Sequence, residues 1–148
     1  MKLLMAMSKD GYLAKGPEDD MKWTGSVDKR LFWLLTQFSE EPTLIGRRSA
    51  ELMPDLPGRH LVKLDSTNYT LDLAMARHEN AVLIGGPTLA MKALAKGMIS
   101  TACIMVCSTE LGSGMSAEHY LGKLFKMPYY SVSFKDGPEA KIYKAANW

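Results

Sequence analysis

No stretch constrains the fold of this chain more than residues 81–97, where Ala-Val-Leu-Ile runs into Gly85-Gly86-Pro87-Thr88 and on to Lys96-Gly97. Apolar residues without polar alternation are the pattern of a strand covered on both faces, as in the interior of a parallel sheet. Pro87 suits the first position of a helix, where no backbone N–H is required, and Gly97 suits the left-handed residue past its end. Leu89, Ala93 and Leu94 then fall on one helical face. A buried strand that passes through two glycines into a helix start presents unpaired N–H groups and the positive end of the helix dipole, which is a place for a phosphate. The same glycines also serve as a plain strand-to-helix connection, so the neighbouring segments must decide between the two.

Residues 2–7 read as an opening strand, since Lys9 and Asp10 interrupt the apolar run too early for a signal peptide or a membrane span. Asp10-Gly11 closes it with a turn. Residues 12–21 read as a polar loop, with Gly16-Pro17 and the acidic Glu18-Asp19-Asp20, of the kind that lies over a binding face. Trp23 follows, either as an anchor packed on the core or as the wall of a site. Thr24, Gly25 and Ser26 offer caps for a helix over 27–38, on which Asp28, Leu31, Phe32 and Leu35 share a face. Asp28 there either answers the helix dipole or sets a carboxylate in line with an apolar stripe.

Residues 43–45 form a short strand that enters Gly46-Arg47-Arg48-Ser49, a second glycine-led route toward a helix, with helical turns at 50–53. Its two guanidinium groups and hydroxyl either receive an anion or are simply solvated. Residues 54–57 form a rigid connection, 60–64 a strand, 65–69 a loop, 71–77 a helix and 100–107 a strand. Leu111-Gly112-Ser113-Gly114 is a loop, and 117–124 is at most a helical turn. Residues 129–134 and 140–145, around Lys135-Asp136-Gly137-Pro138, have the alternation and turn chemistry of a hairpin.

Strands alternating with helices and closed by an antiparallel hairpin predict an α/β fold with a mixed, mostly parallel central sheet. At 148 residues and 47% hydrophobic content the chain is expected to form one domain, residues 1–148. A net charge of +2, from 18 basic and 16 acidic residues, gives no electrostatic case for nucleic acid. His60, His78 and His119 follow no metal-ligand spacing, and Cys103 and Cys107 read as reduced core residues of one strand. No metal and no membrane are expected, and a cytoplasmic location is.

Taken in order, Ala6, the Asp10-Gly11 turn, Met21 and Trp23, Asp28, Phe32, Gly46-Arg47-Arg48-Ser49, Leu56-Pro57-Gly58-Arg59 and Ile84-Gly85-Gly86 resemble the motifs of the dihydrofolate reductase family. The likeness runs from the start to about Gly97. It implies the family's single-domain, three-layer fold with flanking helices, NADPH as cofactor, and reduction of dihydrofolate to tetrahydrofolate in one-carbon metabolism, by a monomer or homodimer. Asp28 and Trp23 stand at catalytic positions, Asp28 resembling the carboxylate that pairs with the pterin N3 and 2-amino group and favours protonation of N5. Ala6, Trp23 and Phe32 resemble pocket wall for nicotinamide or pterin. Leu56 and Arg59 fall in the substrate-tail motif, Arg59 as the fork that grips a carboxylate. Gly46, Arg47, Arg48, Ser49 and Ser66 resemble the part that holds the phosphates of NADPH. Gly85 and Gly86 let its nicotinamide side and pyrophosphate lie against backbone, and Leu13, Ile84, Pro87, Thr88 and Leu89 complete the implied cofactor set.

The chain departs from the family pattern at Lys22 and Lys29, where uncharged residues are usual, at Pro87 in place of a third glycine, and at Ala90 in place of a tyrosine. The threonine that bonds the family's acid maps onto Cys103 or Met105. Gly85-Gly86-Pro87-Thr88-Leu89, Leu111-Gly112-Ser113-Gly114 and Met7-Ser8-Lys9-Asp10-Gly11 also resemble the pyrimidine reductase domain of riboflavin biosynthesis. That enzyme shares the fold and NADPH but reduces a ribosylamino-pyrimidine phosphate; Asp28 and Leu-Pro-Gly-Arg favour the folate reading. A third alternative is a non-catalytic nucleotide-binding module of the same fold.

Overall fold

The computed structural model describes residues 1–25, 29, 30, 32, 34, 36, 41–52, 60–135 and 137–144. Its strands are β1 (Lys2–Met7), β2 (Tyr12–Ala14), β3 (Thr43–Gly46), β4 (Leu61–Leu64), β5 (Val82–Leu83), β6 (Thr101–Val106), β7 (Met115–Ser116), β8 (Tyr130–Ser133) and β9 (Glu139–Lys144). Its helices are α1 (Arg47–Leu52), α2 (Leu71–Arg77), α3 (Pro87–Ala95) and α4 (Ala117–Phe125). Lys29, Arg30, Phe32, Leu34 and Thr36 are also helical.

The most apolar strands occupy the middle of a seven-stranded sheet of order β4-β3-β5-β1-β6-β9-β8. β1 pairs in parallel with both β5 and β6, and β3 in parallel with β4 and β5, whereas β9 runs antiparallel between β6 and β8. Polarity sorts the strands by position. β8, Tyr-Ser-Val-Ser, is exposed at every residue and forms an edge, while Leu3, Leu4 and Met5 of β1 are buried on both faces of the sheet.

Side-chain alternation along β1 divides the core into two layers. Leu3 and Met5 face the cluster that contains Leu71 and Ala74 of α2, Ala90, Ala93 and Leu94 of α3, and Ala117, Leu121 and Leu124 of α4. Leu4 faces the other way, with Val82, Met105 and Ala140, and Phe32 packs against that cluster. The sheet is therefore the middle of three layers, with α2, α3 and α4 on one side and the Phe32 helix on the other.

Local chemistry accounts for the helix ends that were expected. Thr70 caps α2 by accepting from the Leu73 N–H, Pro87 opens α3, and Gly97 beyond it has φ +69°. Three expectations need correction. Residues 12–14 are a strand, β2, paired antiparallel with β7, because Leu13 and Ala14 have a buried place to go and a partner far along the chain. The helix after Gly46 starts at Arg47, not Ala50, so the arginines sit in its first turn. Residues 117–125 form a full helix, capped by Ser116, whose Oγ accepts from the His119 N–H, and held by three buried residues.

Candidate active site

Parallel strands bring their carboxyl ends to one edge of the sheet, and at that edge lies a cleft of 530 Å³. Met5 of β1, Ile45 and Gly46 of β3, Leu64 of β4 and Ile84 beyond β5 line it. The two glycine-led strand ends meet directly, because the Gly46 N–H donates to the Gly85 carbonyl at 2.8 Å. A Cβ on Gly86 would stand 2.8 Å from Ser49 Oγ, and one on Gly46 would stand 3.0 Å from Leu89 Cδ1. Glycine at both positions thus lets the starts of α1 and α3 converge on one space. The Gly85–Gly86 peptide is cis.

The groups around that space suit an anion. Arg47, Arg48, Ser49, Ser66, Gly85, Gly86, Pro87, Thr88 and Leu89 all line the cleft, as does the buried Leu13. Arg47 Nε is 3.9 Å from Glu51 Oε1, an exposed pair one helical turn apart. Among the described residues neither Arg48 nor Lys92, which also lines the cleft, has an acidic partner within 4 Å. The first turn of α3 adds backbone N–H groups that precede its hydrogen-bond ladder. At the end of β4, Asp65 accepts from the N–H groups of Thr67, Asn68 and Tyr69, which together with the Arg47 charge hold its carboxyl below the usual carboxylate range. That carboxylate fixes the turn carrying Ser66 toward the cleft.

The other residues singled out from the sequence lie elsewhere. Ala6 is on Leu4's face of β1, opposite Met105 in register, and Phe32 is on that same side of the sheet. Ile84 both lines the cleft and packs against the Phe32 cluster, so it is the hinge between the two groups. Cys103 packs against that cluster too and Met105 belongs to it, so both candidates for the threonine position share the Phe32 face. Trp23 does not line the cleft; its indole N–H donates to Asp19 at 2.7 Å. Asp28, Leu56 and Arg59 lie outside the described residues.

Several cleft residues were not anticipated: Asp19, Asp65, Lys92, Met115 and Tyr120. Lys92 stands one turn after Thr88 on α3, and Asp65 directly follows a parallel strand, so spacing could have found both. Met115 and Tyr120 had no local signal, because only the β2–β7 pairing brings them across.

Two carboxylates organise the loops at this edge. Burial works to raise Asp19, but the N–H groups of Lys15 and Met21 and the Trp23 indole together outweigh it and hold the carboxyl below its ordinary value. Asp10 accepts from the Ser8 hydroxyl at 2.6 Å and from the N–H groups of Leu111 at 3.0 Å and Gly112 at 2.7 Å, and these bonds pull it down to about 2. A depressed carboxyl stabilises the fold above its unfolded value, about 3.9, and that contribution is lost as pH falls through about 2. Asp10→Asn is therefore expected to lower the urea midpoint at pH 6 and to match wild type at the acid limit. A gap that stays constant down to pH 2 would show that the carboxylate charge is not the stapling group.

The strand order, the cleft at the carboxyl edge and the converging glycine-led helix starts define an α/β protein with the dihydrofolate reductase fold. In particular, the chain superposes on the dihydrofolate reductase of Enterococcus faecalis solved with NADP(H) and RAB-propyl, with a TM-score of 0.68 over 97% of this chain and 94% of that one. The two are 14% identical in sequence, so this likeness speaks for the fold. No protein-family model matches the chain, and no curated protein matches it in sequence. Among the described residues no helix is long and apolar enough to cross a membrane, and no group of three or more His, Cys, Asp or Glu could hold a metal ion.

Proposed function

We propose that this chain is an NADPH-dependent reductase that converts 7,8-dihydrofolate to 5,6,7,8-tetrahydrofolate, acting as one cytoplasmic domain, monomer or homodimer. The observation that supports this best is the meeting of Gly46-Arg47-Arg48-Ser49 with Gly85-Gly86-Pro87 around one cleft at the carboxyl edge of the sheet. Two helix starts, two cations without acidic partners among the described residues and two glycines closely approached by side chains suit a dinucleotide whose phosphates lie at separate points.

In this reading Arg48, Ser49 and Ser66 bind the phosphate on the adenosine ribose, with Arg47 supplying longer-range charge. The α3 start binds the pyrophosphate. NADPH, when bound, supplies the hydride that goes to C6 of the pterin. Ala6, Phe32 and Ile84 form apolar wall around the reacting rings, excluding water and orienting them. Asp28 pairs with the pterin N3 and 2-amino group and favours the protonated N5, Trp23 acts from beside the cleft through its bond to Asp19, and Leu56 and Arg59 hold the substrate's tail.

The reading is tested by the loss of NADPH absorbance in the presence of dihydrofolate, beside a sample lacking it. Folate-dependent consumption is expected. Tight NADPH binding without folate-dependent consumption would sink the substrate assignment and make a ribosylamino-pyrimidine phosphate the next substrate to try. Asp28→Asn is expected to lower kcat by roughly 10²- to 10⁴-fold while leaving NADPH affinity unchanged, the size of effect general acid–base groups carry. Equal turnover in that variant would remove Asp28 from the mechanism.

A further inference from the structure

Between β2 and the short 3-10 turn Lys22–Thr24 the chain has no helix or strand of its own, yet Gly16, Pro17, Asp19, Asp20 and Met21 of this segment form one wall of the cleft. Within that wall the backbone makes a single hydrogen bond, from the Asp19 N–H to the Gly16 carbonyl at 3.2 Å, so side chains set most of its shape. Asp19 Oδ2 accepts from the Lys15 N–H at 2.6 Å and from the Trp23 indole N–H at 2.7 Å, and Oδ1 accepts from the Met21 N–H at 2.8 Å. One carboxylate thus ties the entry of the segment to its exit and to the indole beyond. Trp23 is itself fixed, since its carbonyl accepts from Thr109 Oγ1 at 3.0 Å.

We propose that Asp19 is a positioning residue that holds the 15–21 wall in the shape that admits the nucleotide, with Trp23 as the post to which it is tied. The inference rests on the nucleotide-binding reading above. Three N–H donors converging on one side chain suit a carboxylate, which only accepts; an asparagine would turn its own NH₂ toward one of those donors. The adjacent Asp20 is the natural control, because it accepts from the Lys22 N–H at 3.1 Å and pairs with the Lys22 ammonium at 3.6 Å, both on the exit side alone. Apparent affinity falls in proportion to the fraction of molecules with a competent site. A released wall therefore weakens nucleotide binding, while bound nucleotide re-forms the wall and spares turnover.

The test compares full-length wild type, Asp19→Asn, Asp19→Glu and Asp20→Asn. Without nucleotide, tryptic cleavage after Lys15 and Lys22 is expected to be at least about tenfold faster in Asp19→Asn, in keeping with local release of charged hydrogen bonds. Asp20→Asn is expected to match wild type, and Asp19→Glu, which keeps the charge, to recover part of the protection. In fluorescence titrations Asp19→Asn is expected to bind NADPH about tenfold more weakly, with kcat at saturation within about twofold of wild type. Cleavage of Asp19→Asn at the wild-type rate overturns the proposal whether or not NADPH binds. Faster cleavage with unchanged NADPH affinity also overturns it, because the wall would then not shape the site. Wild-type protein that fails to bind NADPH overturns the nucleotide reading separately, while the cleavage rates still decide whether Asp19 holds the segment. Should Asp19→Asn melt near the assay temperature, Trp23→Phe removes one donor, keeps the carboxylate, and is expected to give a smaller acceleration at the same two bonds.

Discussion

Gly114→Ala is expected to lower the melting temperature by roughly 10 °C, for a loss of about 3 kcal/mol. Gly114 has φ +144°, which L side chains rarely adopt, and a Cβ there would run into the backbone carbonyl of Ala14. Backbone cannot swing aside as a side chain can. The site of the clash is the contact between β2 and β7, where Ala14 pairs with Met115, so the substitution either splits that pair or drags the strand. Gly112→Ala is the matched control: its φ is +78° but nothing lies within 4 Å of the added carbon. Only the left-handed penalty, about 1–2 kcal/mol, should remain. Thermal melts that give the two variants equal losses would show that the β2–β7 contact yields without cost. A second consequence concerns the cleft, since Ala14 and Met115 both line it. Gly114→Ala is expected to weaken NADPH binding along with stability, and Gly112→Ala to leave it unchanged.

Gly86→Val is expected to raise the dissociation constant for NADPH at least about tenfold, equivalent to about 1.4 kcal/mol, with far-UV circular dichroism unchanged. Gly86 is extended, φ −83° and ψ −173°, a region of φ and ψ that valine readily adopts. The cost is one of space. Its Cβ would stand 2.8 Å from Ser49 Oγ, and although the hydroxyl can rotate away, the two γ-methyls then occupy the gap between the helix starts that a pyrophosphate would need. Alanine in the same place, relieved by rotation of Ser49, is expected to show a smaller loss. Fluorescence titration of both variants checks the order, and wild-type affinity in Gly86→Val would mean that the nucleotide does not approach this backbone.

How far the fold was legible depended on where each element's partners lie. The β5–α3 unit could be read because its signals are local: an apolar run for the strand, Pro87 for the helix start and Gly97 for its end. The β1 and α2 boundaries came out at residues 2–7 and 71–77 for the same reason. β2 could not be read this way, and α4 only in part. Tyr-Leu-Ala is too short to declare a strand, and Leu13 becomes a strand residue because β7 and a buried space receive it. α4 does carry an apolar stripe, Ala117, Tyr120, Leu121, Leu124 and Phe125, but it is only nine residues long and contains Gly122, which lowers its intrinsic preference. What holds it is the burial of Ala117, Leu121 and Leu124 against the sheet.

The candidate site divides along the same line. Glycine-led strand ends, arginines and hydroxyls are chemistry that a sequence displays, because a phosphate cradle is made mainly of consecutive backbone and its immediate neighbours. Their convergence is not displayed: the hydrogen bond from Gly46 to Gly85 exists because β3 and β5 are adjacent in the sheet. The carboxylates make the point most sharply. Asp10 was visible as a turn residue and Asp19 as one of an acidic run, yet Asp10 grips backbone 101 positions away at Leu111, and Asp19 reaches an indole that the sequence alone offered to the core or to a pocket. By itself the sequence determined the elements whose start, face and stop lie within a few turns of chain, since capping and periodicity act over that range. Only the tertiary structure decided which strand ends share a cleft, which glycines have no room for a side chain and which carboxylates bind the loops, because those depend on groups that meet only once the sheet is assembled.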